Sequence, residues 1–180
     1  MFKKTKLLFA LVVIVASFAF VSQGGWVQVK SHGFAVEFPK KPEVDSQAVP
    51  SAIGDLMLNT FMYEPSQAGD DNLVYGIMLT KYPDSLIKSN DTVFTKTVFR
   101  NVIDGAAVKA GGKLLSEKEI ALDGYPGREV RIDYQNGVAV IKMRMYMAKS
   151  TMYLIQTIAE PKKENNKSEV RFLNSFKLVK

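Results

Sequence analysis

Two alternating stretches on either side of Asn136-Gly137 constrain the fold of this chain more than any other feature. Asn-Gly between alternating residues is the strongest short signal for a β-hairpin. Centring the hairpin on this pair sets the register, so Glu129 faces Arg144 and the two are predicted to form an ion pair on one side of the strands. The other side is apolar: it carries Val130, Ile132, Tyr134, Ile141, Met143 and Met145. The segment is therefore predicted to be an antiparallel pair with one buried face.

The stretch "TMYLIQTIA" at 151–159 is apolar on both alternating sides. A strand with two apolar faces is typical of the centre of a sheet that is covered on both sides. Further strands are predicted over 33–42, 54–63 and 72–82, where short alternating runs end at proline, glycine or polar residues.

Two segments are predicted to be the helices that cover this sheet. Over 91–109 the apolar residues recur at helical spacing, namely Val93, Phe94, Val98, Phe99, Val102, Ile103 and Ala106. Ser89, Asn90 or Asp91 can cap its start, and Gly111 and Gly112 end it. A second helix is predicted over about 163–174, using Val170, Leu173 and Phe176. The predicted fold class is α+β: an α/β/α sandwich in which an antiparallel sheet has helices packed on both faces.

The stretch "LDGYPGREVRID" at 122–133 could be a ligand-binding loop or a corner that starts a strand. Pro126 presets its backbone angle and Gly127 can adopt the positive φ of a type II turn, while Gly124 loosens the approach. A phosphate-binding loop would open a helix, whereas the residues that follow here alternate with period two. We therefore predict a structural turn at Gly124, Pro126 and Gly127.

The first residues have the features of an export signal. Lys3, Lys4 and Lys6 precede an apolar run over 7–21 that is shorter than the roughly 20 residues of a membrane-spanning helix. We predict a signal peptide at 1–24, with cleavage after Gly24 or after Ala19, and no stable membrane span after cleavage. An uncleaved N-terminal anchor is the alternative. The protein is thus expected to be exported, to the periplasm or the extracellular space.

The remaining residues, 25–180, are predicted to form a single domain whose stability comes from an apolar core, since the chain has no cysteine for disulfides. The formal net charge is +6, but three of the lysines belong to the signal segment. No basic block interleaved with aromatic residues follows, so we expect no nucleic-acid partner.

Several segments resemble the bacterial relatives of the PsbP/Mog superfamily. These are "FAVEFPKKP", "GYPGREVRIDY" before a hairpin, "RMYMAKSTMYLI" and a closing "FLNSFKL", so that the resemblance extends over 33–178. It implies an α/β/α sandwich around an antiparallel sheet. It also implies relatives that are chiefly non-catalytic: extrinsic subunits of the photosynthetic oxygen-evolving complex, a Ran-binding nuclear factor and exported bacterial proteins of unassigned role. No functional residue can be transferred by position from this resemblance.

Candidate catalytic residues are few. His32 is the one histidine of the chain, and its neighbours "KSHGF" predict an exposed turn. Asp70-Asp71 could bind Ca²⁺, but six to eight oxygen ligands are needed and only Glu64 and Asn72 lie near in sequence, so a solvated loop is favoured. Glu117 and Glu119 share a strand face among lysines and are predicted to be surface charges. We expect no catalytic site, no cofactor and no enzymatic activity.

The methionines Met143, Met145, Met147 and Met152 fall on one face of the predicted sheet. Thioethers bind Cu(I), so an exposed methionine face could handle copper. Methionine also fills apolar sheet faces under helices, and these residues share their face with Ile132, Ile141 and Leu154. We therefore predict a buried core there and no metal site, with Cu(I) binding by Met143, Met145 and Met147 as the alternative.

The sequence predicts an exported, non-enzymatic accessory or binding protein that acts through contact with a protein partner in the cell envelope. A small-ligand carrier with a pocket beside the sheet is the first alternative, and a Cu(I)-handling protein is the second. The sequence does not indicate which residues bind the partner.

Overall fold

The computed structural model describes residues 22–23, 25–51, 53–65, 69–86 and 92–179. The predicted caps Ser89, Asn90 and Asp91 and nearly all of the predicted signal segment 1–24 lie outside these ranges. None of the helices within them has the length and apolarity needed to cross a membrane.

The described strands form two antiparallel sheets. In chain order they are β1 (Ser22–Gln23), β2 (Trp26–Ser31), β3 (Phe34–Phe38), β4 (Glu43–Val49), β5 (Leu56–Tyr63), β6 (Asn72–Lys81), β7 (Leu114–Leu122), β8 (Tyr125–Tyr134), β9 (Ala139–Ala148), β10 (Thr151–Ala159) and β11 (Lys177–Leu178). The larger sheet has the order β4-β5-β6-β10-β9-β8-β7, and the smaller has the order β1-β2-β3-β11. The strands predicted at 33–42, 54–63 and 72–82 are confirmed as β3, β5 and β6.

Helix α1 (Thr92–Lys109) matches the predicted amphipathic segment from its first described residue. Its buried residues are Val98, Phe99 and Ile103, whereas Val93 at its start is exposed. The helix ends as predicted. Gly111 has a φ of 57° and donates to Val108 O, while Gly112 donates to Ala107 O, the two bonds of a Schellman motif.

Helix α2 (Lys167–Ser175) starts later than the prediction of about 163. A 3-10 turn at Pro161–Lys163 comes first, and the helix then begins after Asn166, whose side chain accepts a hydrogen bond from Glu169 N at 2.8 Å. Leu173 and Phe176 are buried as predicted, and so is Phe172, whereas Val170 is exposed.

Two apolar cores lie against opposite faces of the larger sheet. Met152 and Leu154 of β10 belong to the core beneath α1, whereas Tyr153 and Ile155 belong to the core shared with α2, β2 and β3. Successive side chains of a strand point to opposite faces, so the two cores are separated by the sheet itself. The prediction that β10 is central and covered on both sides is confirmed.

The α+β class with a mainly antiparallel sheet is confirmed, whereas the layers differ from the prediction. We expected each cover to consist of a helix. One face is covered by α1, but on the other face α2 shares the layer with the small sheet. In the small sheet β3 pairs with β11, so that Phe34 lies opposite Leu178. Sequence periodicity cannot reveal pairing between residues this far apart.

The hairpin of β8 and β9 has the predicted register. Val130 pairs with Met143 and Ile132 with Ile141. The turn differs in length, because pairing ends at Tyr134 and Ala139 and residues 135–138 form a four-residue connection. Gly137 N is held by Asp133 Oδ1 at 2.8 Å. Because the four-residue loop is centred on the same point as the predicted Asn136-Gly137 turn, the predicted residue pairs of β8 and β9 are unchanged.

The chain does turn within "LDGYPGREVRID", but not where the sequence analysis placed the turn. Leu122 pairs with Tyr125, and the two residues between them, Asp123 and Gly124, have φ values of 51° and 82°. Positive φ at both positions is the signature of a type I′ hairpin turn. Pro126 and Gly127 lie inside β8, so the predicted type II turn at these two residues is wrong. Gly124 is a turn residue, as expected.

Gly127 has a packing role within β8. A Cβ built on it would lie 2.5 Å from Met145 O and 2.6 Å from the ring of Tyr146, both on β9. The glycine therefore permits a close approach of the two strands, since no real Cβ contact is this short.

We expect Gly127→Ala to lower the free energy of unfolding by about 1–3 kcal/mol, because β9 must shift to make room. Gly105→Ala is the matched control, since a Cβ on this helical glycine meets nothing within 4 Å. It should stabilise the protein by about 0.5–1 kcal/mol through helix propensity. Denaturant unfolding measures the change in the free energy of unfolding for both variants. Equal changes in the two would contradict the interpretation that Gly127 permits a close approach of the strands.

Candidate functional site: an open sheet edge

Strand β4 is the most exposed element of the larger sheet. It pairs with β5 along its whole length, from Glu43 opposite Met62 to Val49 opposite Leu56. All seven of its residues are exposed, and no described strand pairs with its outer side. An edge of this kind presents free backbone N–H and C=O groups to which another chain can pair.

The two faces of β4 differ in chemistry. Glu43, Asp45, Gln47 and Val49 point to one face, whereas Val44, Ser46 and Ala48 point to the other. Ser46 pairs with Asn59 and donates to its Oδ1 at 3.0 Å. Val44 is 61% exposed, which is unusual for a branched apolar residue on a sheet. The strand thus combines an acidic side and an apolar side at one open edge.

An open groove of about 660 Å³ adjoins this edge. Met57, Asn59 and Leu79 line it from the sheet, His32 from the β2–β3 turn, and Tyr82 from the end of β6. Asp55, Lys81 and Asp84 add charges to its rim. Met57, which pairs with Ala48, is 49% exposed, so the groove joins the apolar side of β4. The groove is open to solvent, unlike the enclosed apolar pocket that a small-ligand carrier needs.

The predicted ion pair between Glu129 and Arg144 is present at 2.6 Å from Oε2 to Nε. Arg144 also donates to Asn174 Oδ1 of α2 at 2.8 Å. The pair therefore contributes to the contact between the sheet and α2, as well as joining β8 to β9.

The polar side of the hairpin, which carries the predicted Glu129–Arg144 pair, lies under the segment that contains α2. Arg131 forms a bidentate pair with Glu164, at 2.8 and 2.6 Å, and this hydrogen bonding raises the pKa of Arg131. Lys142 Nζ lies 2.7 Å from Glu169 Oε1, and the Glu169 side chain is only 1% exposed. Sequence alternation identifies a polar face but does not show whether water or an ion-paired helix covers it.

We expect Lys142→Met to destabilise the protein by about 3–5 kcal/mol, because it leaves the buried Glu169 carboxylate without its cation. Lys163→Met is the matched control. Lys163 is exposed and its nitrogen lies 4.0 Å from Glu160, so its loss should change the free energy of unfolding by less than about 0.5 kcal/mol. Thermal and denaturant unfolding would measure both, and similar small losses would show that the Lys142–Glu169 pair adds little.

The methionine face lies beneath α1. Met143, Met145 and Met147 are at most 3% exposed, and Met152 is 6% exposed. They pack with Phe99 and Ile103 in the core of that face. Cu(I) binding requires sulfur atoms that an ion can reach. The buried sulfur atoms of Met143, Met145 and Met147 lack this access, which argues against the copper-handling alternative.

His32 occupies the exposed β2–β3 turn, as predicted, with a φ of 44°. Its Nδ1 lies 2.7 Å from Ser31 Oγ, and its backbone carbonyl accepts a hydrogen bond from Tyr153 at 2.9 Å. The ring packs edge-on against Phe61. These contacts position the turn at the wall of the groove.

Asp70 was predicted to lie in a solvated loop, but its side chain is hydrogen-bonded within the protein. Its Oδ1 accepts hydrogen bonds from Tyr75 Oη at 2.7 Å and from Asn72 N at 2.9 Å. Asn72 in turn exchanges amide hydrogen bonds with Asn166, the residue that caps α2. No described group of three acidic or histidine side chains is placed to hold a metal ion. Asp70 thus holds the start of β6, and Asn72 links the start of β6 to the cap of α2.

Burial, and then the hydrogen bond to Asp70, raise the pKa of Tyr75 well above its ordinary value. The folded protein therefore favours the neutral phenol, and its stability falls as the pH rises above the ordinary tyrosine pKa of about 10. We expect Tyr75→Phe to cost about 1 kcal/mol near pH 8 but to lose less stability than the native chain between about pH 9 and 11. The free energy of unfolding of both proteins, measured across this pH range, checks the prediction. If it declined equally with pH in the variant and the native chain, the prediction would be contradicted.

Glu117 and Glu119 share a face of β7, as predicted, and both pair with Arg128, at 3.2 and 2.7 Å. Glu117 also contacts Arg100 of α1 at 3.1 Å, and the Arg128 guanidinium lies 5.7 Å from the centre of the Phe99 ring. The cluster joins α1 to the β7 side of the sheet.

Comparison with known proteins gives structural matches only. No protein-family model matches the chain, and no curated protein does. The solution structure of cyanobacterial PsbP (CyanoP) from Synechocystis sp. PCC 6803 aligns with 92% of this chain and 99% of its own, at 10% sequence identity and a TM-score of 0.52. The fold is PsbP-like.

A second solved structure, the Pseudomonas aeruginosa protein PA94 of unknown function, is similar over 78% of this chain and 86% of its own. Its sequence identity is 12% and its TM-score is 0.39. The PsbP-like match agrees with the fold that the resemblance of the sequence segments implied. At 10% identity the match to CyanoP shows the fold alone.

The sequence analysis did not identify the open edge or its groove. β4 and β2 were both missed, although "EVDSQAV" and "WVQVKS" alternate. The signal in β4 is weak because its two faces hold acidic, amide, hydroxyl and small apolar residues rather than one continuous apolar stripe. The sheet edge becomes visible only once β5 is placed beside it.

Proposed function

We propose that this protein is an exported, non-enzymatic accessory protein of the PsbP/Mog-like type, which acts by binding a protein partner in the cell envelope. The observation that carries the proposal is the open edge at β4, where seven exposed residues present an unpaired strand side beside a partly apolar groove. Exposed edges are normally shortened, charged or covered because they pair with other chains.

The arrangement of the polar side chains supports a binding role over catalysis. The described carboxylates with close partners serve structural contacts: Glu129 holds Arg144, Glu164 holds Arg131, and Glu169 holds Lys142. General acid–base catalysis needs titratable groups that converge on a cleft with free access to a substrate. The resemblance of the sequence to chiefly non-catalytic relatives points the same way, and the predicted signal segment supports export.

A photo-crosslinking residue placed at Gln47 in β4 tests the proposal in cells. Lys118 in β7 is the matched control, because it is also exposed but lies at the opposite edge of the sheet. We expect irradiation to yield a discrete adduct with an envelope protein from Gln47, and a weaker or no adduct from Lys118. Equal labelling at both edges, or turnover of small-molecule or peptide substrates by the purified protein, would contradict the proposal.

A further inference from the structure

The side chains of β4 specify what kind of strand could pair with it. Asp45 pairs with Thr60 of β5, which pairs with Met78 of β6, and Met78 packs in the core beneath α1. Glu43 and Asp45 therefore point to the α1 face of the sheet. Val44 pairs with Phe61, which belongs to the opposite core. Val44 and Ala48 thus point to the face that carries the groove.

The hydrogen bonds of an added strand would supply affinity without sequence selectivity. In strand addition the backbone groups of the edge pair with any extended chain, and alternate side chains determine which chain fits. An added strand places its own side chains beside those of β4, face for face. One set would therefore lie beside two carboxylates, and the other beside Val44, Ala48 and the half-exposed Met57.

Cross-strand neighbours of opposite charge stabilise a sheet, whereas like charges on adjacent positions destabilise it. The acidic face favours lysine or arginine at every second position of the added strand. The apolar face favours aliphatic residues at the positions between, where they cover exposed apolar surface. We propose that β4 binds an extended segment of a protein partner in which basic and apolar residues alternate. This inference rests on the proposed function and adds the chemistry of the partner.

A second copy of this chain is a poorer occupant of the same edge. In an antiparallel pair of two β4 strands centred on Ser46, Glu43 would lie opposite Val49 and Asp45 opposite Gln47. All four carboxylates would then point to one face, where they repel each other. Centring the pair on Asp45 places two carboxylates directly opposite. A partner strand with basic residues relieves this repulsion instead of doubling it.

Binding of two synthetic peptides to the full chain tests the inference. One peptide alternates lysine with valine or threonine over seven residues, and the other has the same composition with its lysines contiguous. Fluorescence anisotropy at low salt should show binding of the alternating peptide about tenfold tighter than the contiguous one, and this difference should shrink as salt is added. Hydrogen exchange should show new protection of the β4 amides on binding.

Two double variants with the same change in net charge separate local recognition from general attraction. Glu43→Lys/Asp45→Lys should weaken binding of the alternating peptide about tenfold or more, because both pairing carboxylates are reversed. Asp104→Lys/Glu160→Lys changes two exposed acidic residues, on α1 and after β10, and should leave binding within about twofold. Circular dichroism and thermal unfolding confirm that both variants fold.

Equal binding of the two peptides, or equal loss in both variants, would overturn the inference. It would also fail if Glu43→Ala/Asp45→Ala self-associates while neither peptide binds the native chain, because the two acids would then serve to block edge pairing. If Gln47 crosslinks to an envelope protein but the peptides are not distinguished, the partner chemistry is wrong and the proposed function stands. If the alternating peptide binds but no envelope adduct forms, the proposed function fails instead.

Discussion

Alternate burial along β10 is the interaction on which the other layers depend. Its even-numbered residues Met152 and Leu154 pack beneath α1, and Tyr153 and Ile155 pack against the small sheet and α2. Full burial of each such side chain contributes about 1.5–3 kcal/mol, and a strand covered on both faces contributes to two cores at once. The sheet lies between these two cores, so its central strands couple the α1 layer to the α2 layer.

Much of the fold could be predicted because its signals are local and periodic. The β8–β9 register, the two apolar faces of β10 and the span of α1 all follow from residues within about twenty positions of each other. The turn before β8 was misplaced for a specific reason. Pro126-Gly127 fits a type II turn, yet Asp123-Gly124 is an equally strong hairpin signal three positions earlier, and the chain uses it. The pairing of β11 with β3 in the small sheet could not be predicted, because it joins opposite ends of the described chain.

The candidate site was less predictable than the fold. The two charged surfaces of the sheet look alike in sequence, since both alternate acidic or basic residues with apolar ones. Glu129, Arg131 and Lys142 are covered by α2 and its preceding loop, whereas Glu43 and Asp45 remain exposed. What distinguishes the two surfaces is where later elements pack, and α2 lies over a hundred positions further along the chain than β4. Residue type therefore does not distinguish the charges that hold α2 against the sheet from the charges that remain exposed on β4. Their positions in the folded chain do.

Among the described strands, β7 gives the larger sheet a second unpaired side, at the opposite end of its seven strands from β4. If copies of the chain joined β4 of one to β7 of the next, each addition would expose the same pair of ends again, so growth would have no geometric stopping point. Lys118 and Glu119 on β7, its shifted register near Leu114, and the acids of β4 all oppose such growth. Any resistance to fibre formation would thus come from a few charges at the sheet margins rather than from the packing of the two cores.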